Sequence, residues 1–177
     1  GVSLVYGTTG SIIFQELAAN FALYSTAALV GILMVLIGFF FKMSIIPFHM
    51  WAPDIYQGAP TPITALLATA SKTAAVAALI RVLFMAFAIV KIYWLPVLVL
   101  LSTLSMIGGN LMALRQTNVK RLLAYSSIAQ AGYMLIGIIA ADAAGIKGVL
   151  FYTLIYIIAN IGAFSVLIAV DKNYGEA

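Results

Sequence analysis

Five long apolar runs constrain this chain more than any other feature of its sequence. Each run is close to the roughly 20 residues that a helix needs to cross about 30 Å of hydrocarbon. The apolar residues are continuous, whereas strands of a membrane barrel alternate between lipid-facing and interior residues. The sequence therefore predicts an all-α, polytopic membrane helical bundle, with spans at residues 25–46, 62–88, 94–114, 122–141 and 146–170.

The composition agrees with a membrane protein and excludes several kinds of site. Hydrophobic residues make up 64% of the 177 residues and charged residues only 8%, whereas about a quarter of a soluble domain is charged. The chain has no cysteine and one histidine, which excludes disulfides and iron–sulfur ligation and leaves little for haem or zinc. The net charge of +4 comes from scattered lysines and arginines, so it does not indicate a nucleic-acid-binding face.

Positive residues in the loops predict an orientation in the membrane. One side would hold Arg115, Lys120, Arg121 and Lys172, and the other side would hold Lys91 and Lys147. Cytoplasmic loops carry an excess of lysine and arginine, so the loop 115–121 should be cytoplasmic. We interpret these cations as topology determinants of an integral membrane protein, expected in a bacterial plasma membrane.

The chain is expected to be an internal fragment, because it starts with Gly1 and shows no signal peptide. Residues 1–24 are predicted to be the end of an earlier helix and a surface loop that contains Glu16. Four of the five prolines lie in PFHMWAPDIYQGAPTP, which predicts a turn-rich connection between the first two spans. Asp54 in this connection is interpreted as a helix cap, with pairing to a cation and attraction of protons to an entrance as alternatives. Without a flexible linker, residues 1–177 are expected to form one membrane domain.

Lys72 is the most informative residue, because it lies near mid-membrane depth. It follows Pro62 by ten residues, about 15 Å along a helix, so its side chain cannot easily reach water at either end. A lysine there either faces a wet cavity or a carboxylate and stays charged, or it loses its proton. Both outcomes suit a proton relay. The alternative is a static lysine that holds helices together through a buried ion pair.

Lys42 lies late in the first span, where it either takes part in proton transfer or extends its side chain to the membrane surface. Pro47 has no N–H and its ring would clash with the carbonyl of Met43, so it predicts a helix break one turn after Lys42. Carbonyl groups released at such a break can hold a proton or a cation near the lysine. His49 would face the same way as Lys42 if the helix continued. It is either a proton relay or an interfacial residue beside Trp51.

Polar residues form stripes on the last two spans. Ser126, Gln130 and Tyr133 share one face of the fourth span, and Tyr152, Tyr156 and Asn160 share one face of the fifth. Each stripe either lines a file of water molecules or joins helices through hydrogen bonds, which is common for such residues in membranes. Together the stripes favour a hydrated interior. Gly108 and Gly109 are expected to allow close helix packing.

Three stretches within residues 36–164 carry a family resemblance: FKMSIIPFHMWAPDIYQGAPTPITALLATASK, GNLMALRQTNVKRLLAYSSIAQAGYMLIG and ANIGAF. They resemble the antiporter-like membrane subunits of respiratory complex I, the proton-pumping NADH-quinone oxidoreductase. DIYQGAPTP and two lysines thirty residues apart are most similar to the subunit N branch of that family. The resemblance implies a fourteen-helix subunit with two inverted five-helix repeats, the first ending within 25–88 and the second beginning within 94–170.

The resemblance also implies roles for individual residues. Lys42, Lys72 and His49 match the family's proton path, and Pro47 matches the break of a discontinuous helix. The glutamate that partners the break lysine would precede this sequence, so it is not Glu16, and the lysine of the second repeat would follow it. Gln130 stands where relatives carry histidine, and because glutamine cannot titrate, a proton path there would need water.

The resemblance places the redox chemistry on other chains. NADH, flavin, iron–sulfur clusters and quinone would bind to partner subunits, and this chain would carry no cofactor or metal. Other membrane subunits of complex I, lipid, protons and water are the expected partners, with no nucleic acid. No GxSxG, HExxH or Walker motif is present in the required context, which disfavours an enzyme acting alone. We therefore expect a subunit of a translocase.

Alternatives remain open for the function. The same fold would serve in a sodium/proton antiporter or in a membrane-bound hydrogenase complex. A purely structural membrane subunit, with lysines in static ion pairs, is a third possibility. A solute transporter would require a cavity of substrate size between the repeats.

Overall fold

The computed structural model describes residues 1–20 and 26–174. Five of its helices are long and apolar enough to cross a membrane, namely Thr26–Met43, Thr61–Ala86, Lys91–Ala113, Val119–Ala140 and Ala143–Asn173. The described residues contain no strand, so the prediction of an all-α bundle with five spans is confirmed. The helices are α1 (Val2–Thr9), α2 (Phe14–Asn20), α3 (Thr26–Met43), α4 (Trp51–Gly58), α5 (Thr61–Ala86), α6 (Lys91–Ala113), α7 (Val119–Ala140) and α8 (Ala143–Tyr174).

The N-terminal region is more helical than the sequence indicates. The prediction of a surface loop is wrong for α2, which contains Glu16 and buries Leu17. α2 packs against the last turn of α5, and α1 packs against α3. Glu16 is exposed and accepts a hydrogen bond from the hydroxyl of Ser11. The reason for the error is that tertiary packing of a few apolar side chains stabilises a helix too short to be stable alone. Residues 21–24 lie outside the described part.

The first span ends earlier than predicted. α3 stops at Met43, three residues before the predicted end at 46, because Ser44 has a left-handed backbone with φ of 60°. Two backbone hydrogen bonds close the end of the helix, from Ser44 N to the carbonyl of Phe41 at 3.0 Å and from Ile45 N to the carbonyl of Phe40 at 2.9 Å. Such reversed bonds satisfy carbonyl groups that a helix end leaves free. The helix therefore ends four residues before Pro47 rather than one turn after Lys42.

α5 is continuous from Thr61 to Ala86 but contains two π-helical turns, Leu67–Ser71 and Val82–Ala86. The first π turn ends directly before Lys72. π turns are rare and often occur at functional sites, because the inserted residue re-aims the side chains that follow it. The local backbone therefore contributes to the direction in which Lys72 points.

α6 and α7 form the most extensive helix pair, and glycine permits their close approach. A Cβ atom on Gly109 would lie 2.8 Å from the backbone nitrogen of Ala129, closer than real side chains pack. The hydroxyl of Ser102 donates to the carbonyl of Gly132 at 2.8 Å and links the two helices. The expected role of Gly109 in close packing agrees with this geometry.

Candidate functional site

Lys72 lies on α5 and is buried, with 3% of its surface exposed. Its Nζ atom donates two hydrogen bonds to Ser127 on α7, one to the hydroxyl oxygen at 2.7 Å and one to the backbone carbonyl at 3.0 Å. The hydroxyl of Ser127 in turn donates to the carbonyl of Ala124 at 2.7 Å. The amine therefore bridges two membrane-spanning helices, at a depth where its side chain does not reach the surface.

No carboxylate neutralises Lys72 among residues 1–20 and 26–174. The two ion pairs there join Lys120 to Asp171 and Arg121 to Asp54. A buried ammonium with only neutral partners is costly, so its protonation state depends strongly on nearby charge and water. The described residues thus give no support to the alternative of a static ion pair at Lys72.

The sequence analysis missed Ser127 and the tyrosine beside it. Tyr56 of α4 is fully buried and its hydroxyl faces Ser127 without forming a hydrogen bond. A signal for Ser127 existed, because it is the neighbour of Ser126 and occupies another face of the same helix. The polar stripe that was predicted contains Ser126 and not Ser127. The partner of a buried lysine on another helix is not readable from spacing along the chain.

A cleft of about 370 Å³ lies between α7 and α8, and it brings together most of the predicted stripes. Gln130 accepts a hydrogen bond from the hydroxyl of Tyr152 across the cleft. The predicted residues that line it are Ser126, Gln130, Tyr152, Tyr156 and Asn160. The two stripes therefore face each other around a partly polar cavity.

Tyr133 does not line this cleft. It is 37% exposed, and its hydroxyl accepts a hydrogen bond from Asn110 on α6 at 3.0 Å. It borders a neighbouring groove that it shares with Tyr152. The reading of Tyr133 as a helix-joining residue fits this contact better than a place in the same cavity as Gln130.

Lys42 lies at the end of α3 and is exposed in this chain. It borders an open groove of about 540 Å³ between α3 and α5, which is lined on the α5 side by Ser71, Ala74 and Ala75. Lys72 points elsewhere, toward α7, and no hydrogen bond between described residues joins the two lysines. Lys72 thus lies on α5 and Lys42 lies beside α5, but the two lysines are not in contact.

Some carbonyl groups at the helix break already accept hydrogen bonds within the chain. The carbonyl of Phe41 accepts from the indole Nε1 of Trp51 at 2.9 Å as well as from Ser44 N. The backbone N–H of Ile46 donates to the hydroxyl of Ser105 on α6 at 3.0 Å and anchors the broken segment. The carbonyl of Phe41 is thus satisfied within the chain, and the segment after the break is hydrogen-bonded to α6.

His49 is nearly buried, with 9% of its surface exposed. Because α3 ends at Met43, the seven-residue spacing does not place His49 and Lys42 on one continuous helix. Burial lowers the pKa of His49, and a hydrogen bond with the backbone of Pro47 partly opposes this, so the neutral imidazole is favoured. Its assignment as a relay remains a prediction.

Two cations at one end of the bundle, Lys120 and Arg121, are paired with carboxylates. Lys120 is 6% exposed and lies 3.7 Å from Asp171 of α8, which also accepts a hydrogen bond from the hydroxyl of Thr61. Arg121 Nη1 lies 2.6 Å from Asp54 Oδ1. The interpretation of Asp54 as a cap is therefore wrong, and the alternative of pairing with a cation is confirmed. No group of three metal-ligating side chains occurs in the described ranges.

The comparison with family models decides the family. Residues 1–176 match the model described as NADH:quinone oxidoreductase/Mrp antiporter, TM. The chain belongs to this family. Its membrane location and helical antiporter-like fold follow from that membership together with the five spans.

Individual relatives agree with the family and show how much of it this chain spans. NADH-quinone oxidoreductase subunit N from Heliobacterium modesticaldum is 47% identical, over 99% of this chain and 37% of the relative. A chain of respiratory complex I from Thermus thermophilus matches with a TM-score of 0.76 at 40% identity, over 93% of this chain and 35% of that one. A chain of the Mrp complex from Dietzia has a TM-score of 0.89 at 28% identity, over 99% of this chain and 33% of that one. The chain therefore spans little more than a third of the length of these relatives of the antiporter family.

Proposed function

We propose that this chain is part of a subunit of NADH-quinone oxidoreductase and that it moves protons across the membrane through Lys42, Lys72 and bound water. The observation that carries the proposal is the buried amine of Lys72, whose hydrogen bonds all go to neutral groups of Ser127. Such an amine gives up its proton when a neighbouring positive charge approaches and takes one when a negative charge does. Lys72 can therefore switch between a protonated and a neutral form.

Lys42 is the natural source of that change. It lies near the end of the broken helix and faces an open groove beside α5, where the carboxylate expected before residue 1 can approach it. At an effective dielectric constant of about 20, two unit charges 4 Å apart interact by about 4 kcal/mol. Making or breaking a carboxylate pair at this distance changes the charge that Lys42 presents to α5, and in this proposal that change is what shifts the protonation of Lys72.

The cleft between α7 and α8 offers an onward route for the proton. Ser126, Gln130 and Asn160 present polar groups to it, and Tyr156 lies between the cleft and Ser127. None of these side chains titrates readily near neutral pH, so water molecules in the cleft must carry the proton between them. His49, at the broken segment, would exchange protons with the surface that we assign to the cytoplasm together with the loop 115–121.

The proposed partners are the other membrane subunits of the same complex. The identity to subunit N relatives, at 47%, supports this branch of the family, because the chain of the Mrp complex is only 28% identical. In this proposal NADH oxidation and quinone reduction take place on partner subunits. The division of the chain into the end of one inverted repeat, 25–88, and the start of another, 94–170, is part of the same proposal.

The second candidate is a subunit of a sodium/proton antiporter or a membrane-bound hydrogenase complex. The TM-score of 0.89 with a chain of the Mrp complex favours it, because the backbone fits that protein at least as well. The coupling ion separates the candidates. Proton uptake that is independent of sodium concentration supports the first, and uptake that requires sodium supports the second.

The direct test replaces Lys72 by alanine in the full-length protein within its assembled membrane complex. We expect proton pumping in inverted vesicles to be abolished, while the assembled complex is still recovered in normal amounts. Lys91→Ala, which removes an exposed lysine at the start of α6, is the matched control and should pump normally. Undiminished pumping by Lys72→Ala would refute the proposal.

A second measurement separates a relay from a structural lysine. Infrared difference spectroscopy on Lys72 labelled with nitrogen-15 should detect a change in its protonation during turnover. Lys72→Met, which preserves side-chain length without the amine, covers the case in which the alanine variant does not assemble. A Lys72 signal that never changes during turnover would favour the structural role.

A further inference from the structure

Two buried tyrosine hydroxyls near Ser127, the hydrogen-bond partner of Lys72, have no partner of their own among the described residues. They belong to Tyr56 of α4 and Tyr156 of α8, which are 0% and 6% exposed. Both hydroxyls face Ser127 without hydrogen-bond geometry. Leaving a buried polar group unpaired is costly, so two at one place need an explanation.

The hydrogen-bonding capacity around Ser127 cannot satisfy both tyrosines. The single proton of the Ser127 hydroxyl goes to the carbonyl of Ala124, and one of its two lone pairs accepts from Lys72. One lone pair remains for two phenols. The ammonium of Lys72 has three N–H groups, of which two are used by Ser127. One ammonium N–H and two phenol groups are thus left without partners in the same small space.

A single water molecule can form hydrogen bonds with all three of these unpaired groups. It offers two donors and two acceptors, and a buried water usually makes about three hydrogen bonds to otherwise unpaired polar groups. It can accept from the free N–H of Lys72 and exchange hydrogen bonds with both phenols. The site is built from three helices besides α5, since Tyr56, Ser127 and Tyr156 come from α4, α7 and α8.

We propose that Lys72, Ser127, Tyr56 and Tyr156 enclose a bound water and that Tyr156 connects this water to the cleft between α7 and α8. Tyr156 fits this role because its side chain separates the two sites: the residue lines the cleft, while its buried hydroxyl faces Ser127. Tyr56 does not line the cleft and instead positions the water from the α4 side. The functional part of the inference rests on the proposed proton transfer by Lys72.

The transfer balances without any further reactant. The ammonium of Lys72 releases one proton to the bound water and becomes a neutral amine. The water passes a proton to the oxygen of Tyr156, and the phenol proton of Tyr156 moves to a water in the cleft. One N–H bond of Lys72, one O–H bond of the water and one O–H bond of Tyr156 break, and three O–H bonds form, so one positive charge leaves the lysine for the cleft. The phenol is neutral before and after the step.

The bound water is tested first, since it can be observed without any assumption about pumping. We expect a cryo-EM map of the full-length protein in its complex, at a resolution that shows ordered water, to contain density between the two hydroxyls and Lys72 Nζ. A map in which this space is empty, or in which both hydroxyls bond directly to other protein groups, would overturn the inference.

The functional part is tested with Tyr156→Phe and Tyr56→Phe, which remove only the hydroxyl. We expect Tyr156→Phe to slow pumping by roughly tenfold and to change its solvent deuterium isotope effect, with the KM for quinone unchanged. Tyr56→Phe should disorder the water and slow pumping less. Tyr93→Phe, at an exposed tyrosine near the start of α6, is the matched control.

The outcomes separate this inference from the proposed function. If Lys72→Ala pumps normally, the proposed function fails, while the water density still decides the structural part of the inference. If Lys72→Ala abolishes pumping but Tyr156→Phe keeps both the wild-type rate and the wild-type isotope effect, only the connection through Tyr156 fails.

Discussion

Lys72 and Ser127 are joined by two hydrogen bonds from one amine, to the hydroxyl at 2.7 Å and to the backbone carbonyl at 3.0 Å of the same residue. This arrangement ties α5 to α7 at a point where no carboxylate of the described chain compensates the charge. The hydroxyl can be removed by mutation, whereas the carbonyl cannot. Mutation can therefore test the hydroxyl of Ser127, while the backbone carbonyl of Ser127 stays in place in every variant.

Ser127→Ala should weaken proton transfer without preventing assembly. The variant removes the shorter hydrogen bond to Lys72 and leaves the carbonyl in place, so we expect a destabilisation of roughly 1.5–3 kcal/mol if the amine is charged. Pumping in vesicles and thermal unfolding of the full-length protein measure the two effects. Ser165→Ala is the control, because the Ser165 hydroxyl bonds only within its own helix, to the carbonyl of Ile161. Equal behaviour of the two variants would contradict the prediction.

Asp171→Asn should destabilise the end of the bundle that holds Lys120. The substitution leaves a nearly buried lysine without its counter-charge, and because an uncompensated buried charge is destabilising, the melting temperature should fall measurably. Asp54→Asn is the comparison, since the side chain of Asp54 is 72% exposed and surface ion pairs contribute little. A larger loss for Asp54→Asn than for Asp171→Asn would show that burial does not control these pairs.

Ser44→Gly and Ser44→Val should have opposite effects on stability. Ser44 has φ of 60°, which glycine adopts freely, so Ser44→Gly should be neutral or slightly stabilising and should keep pumping. A β-branched residue is strained in this region, and we expect Ser44→Val to cost about 1–2 kcal/mol. Thermal unfolding in detergent measures both. Equal melting temperatures would mean that the break after Lys42 does not depend on this backbone conformation.

Much of the fold was predictable because a bilayer restricts the choices of the chain. The continuous apolar runs determined five helices, and the position of Lys72 ten residues after Pro62 determined its depth. The boundaries were less predictable. The proline at position 47 suggested a break one turn after Lys42, but the left-handed Ser44 ends the helix at Met43. A backbone reversal by a non-glycine residue leaves no clear trace in a sequence.

The sequence by itself determined which residues are polar at depth in the membrane, because the cost of burying them makes each one conspicuous. Only the tertiary structure decided what they meet: Ser127 for Lys72, Asp171 for Lys120, and Tyr152 for Gln130. The physical reason is that periodicity along a helix defines a face but not the neighbour that packs against it. That neighbour is selected by contacts between distant parts of the chain, such as the close approach of Gly109 to Ala129.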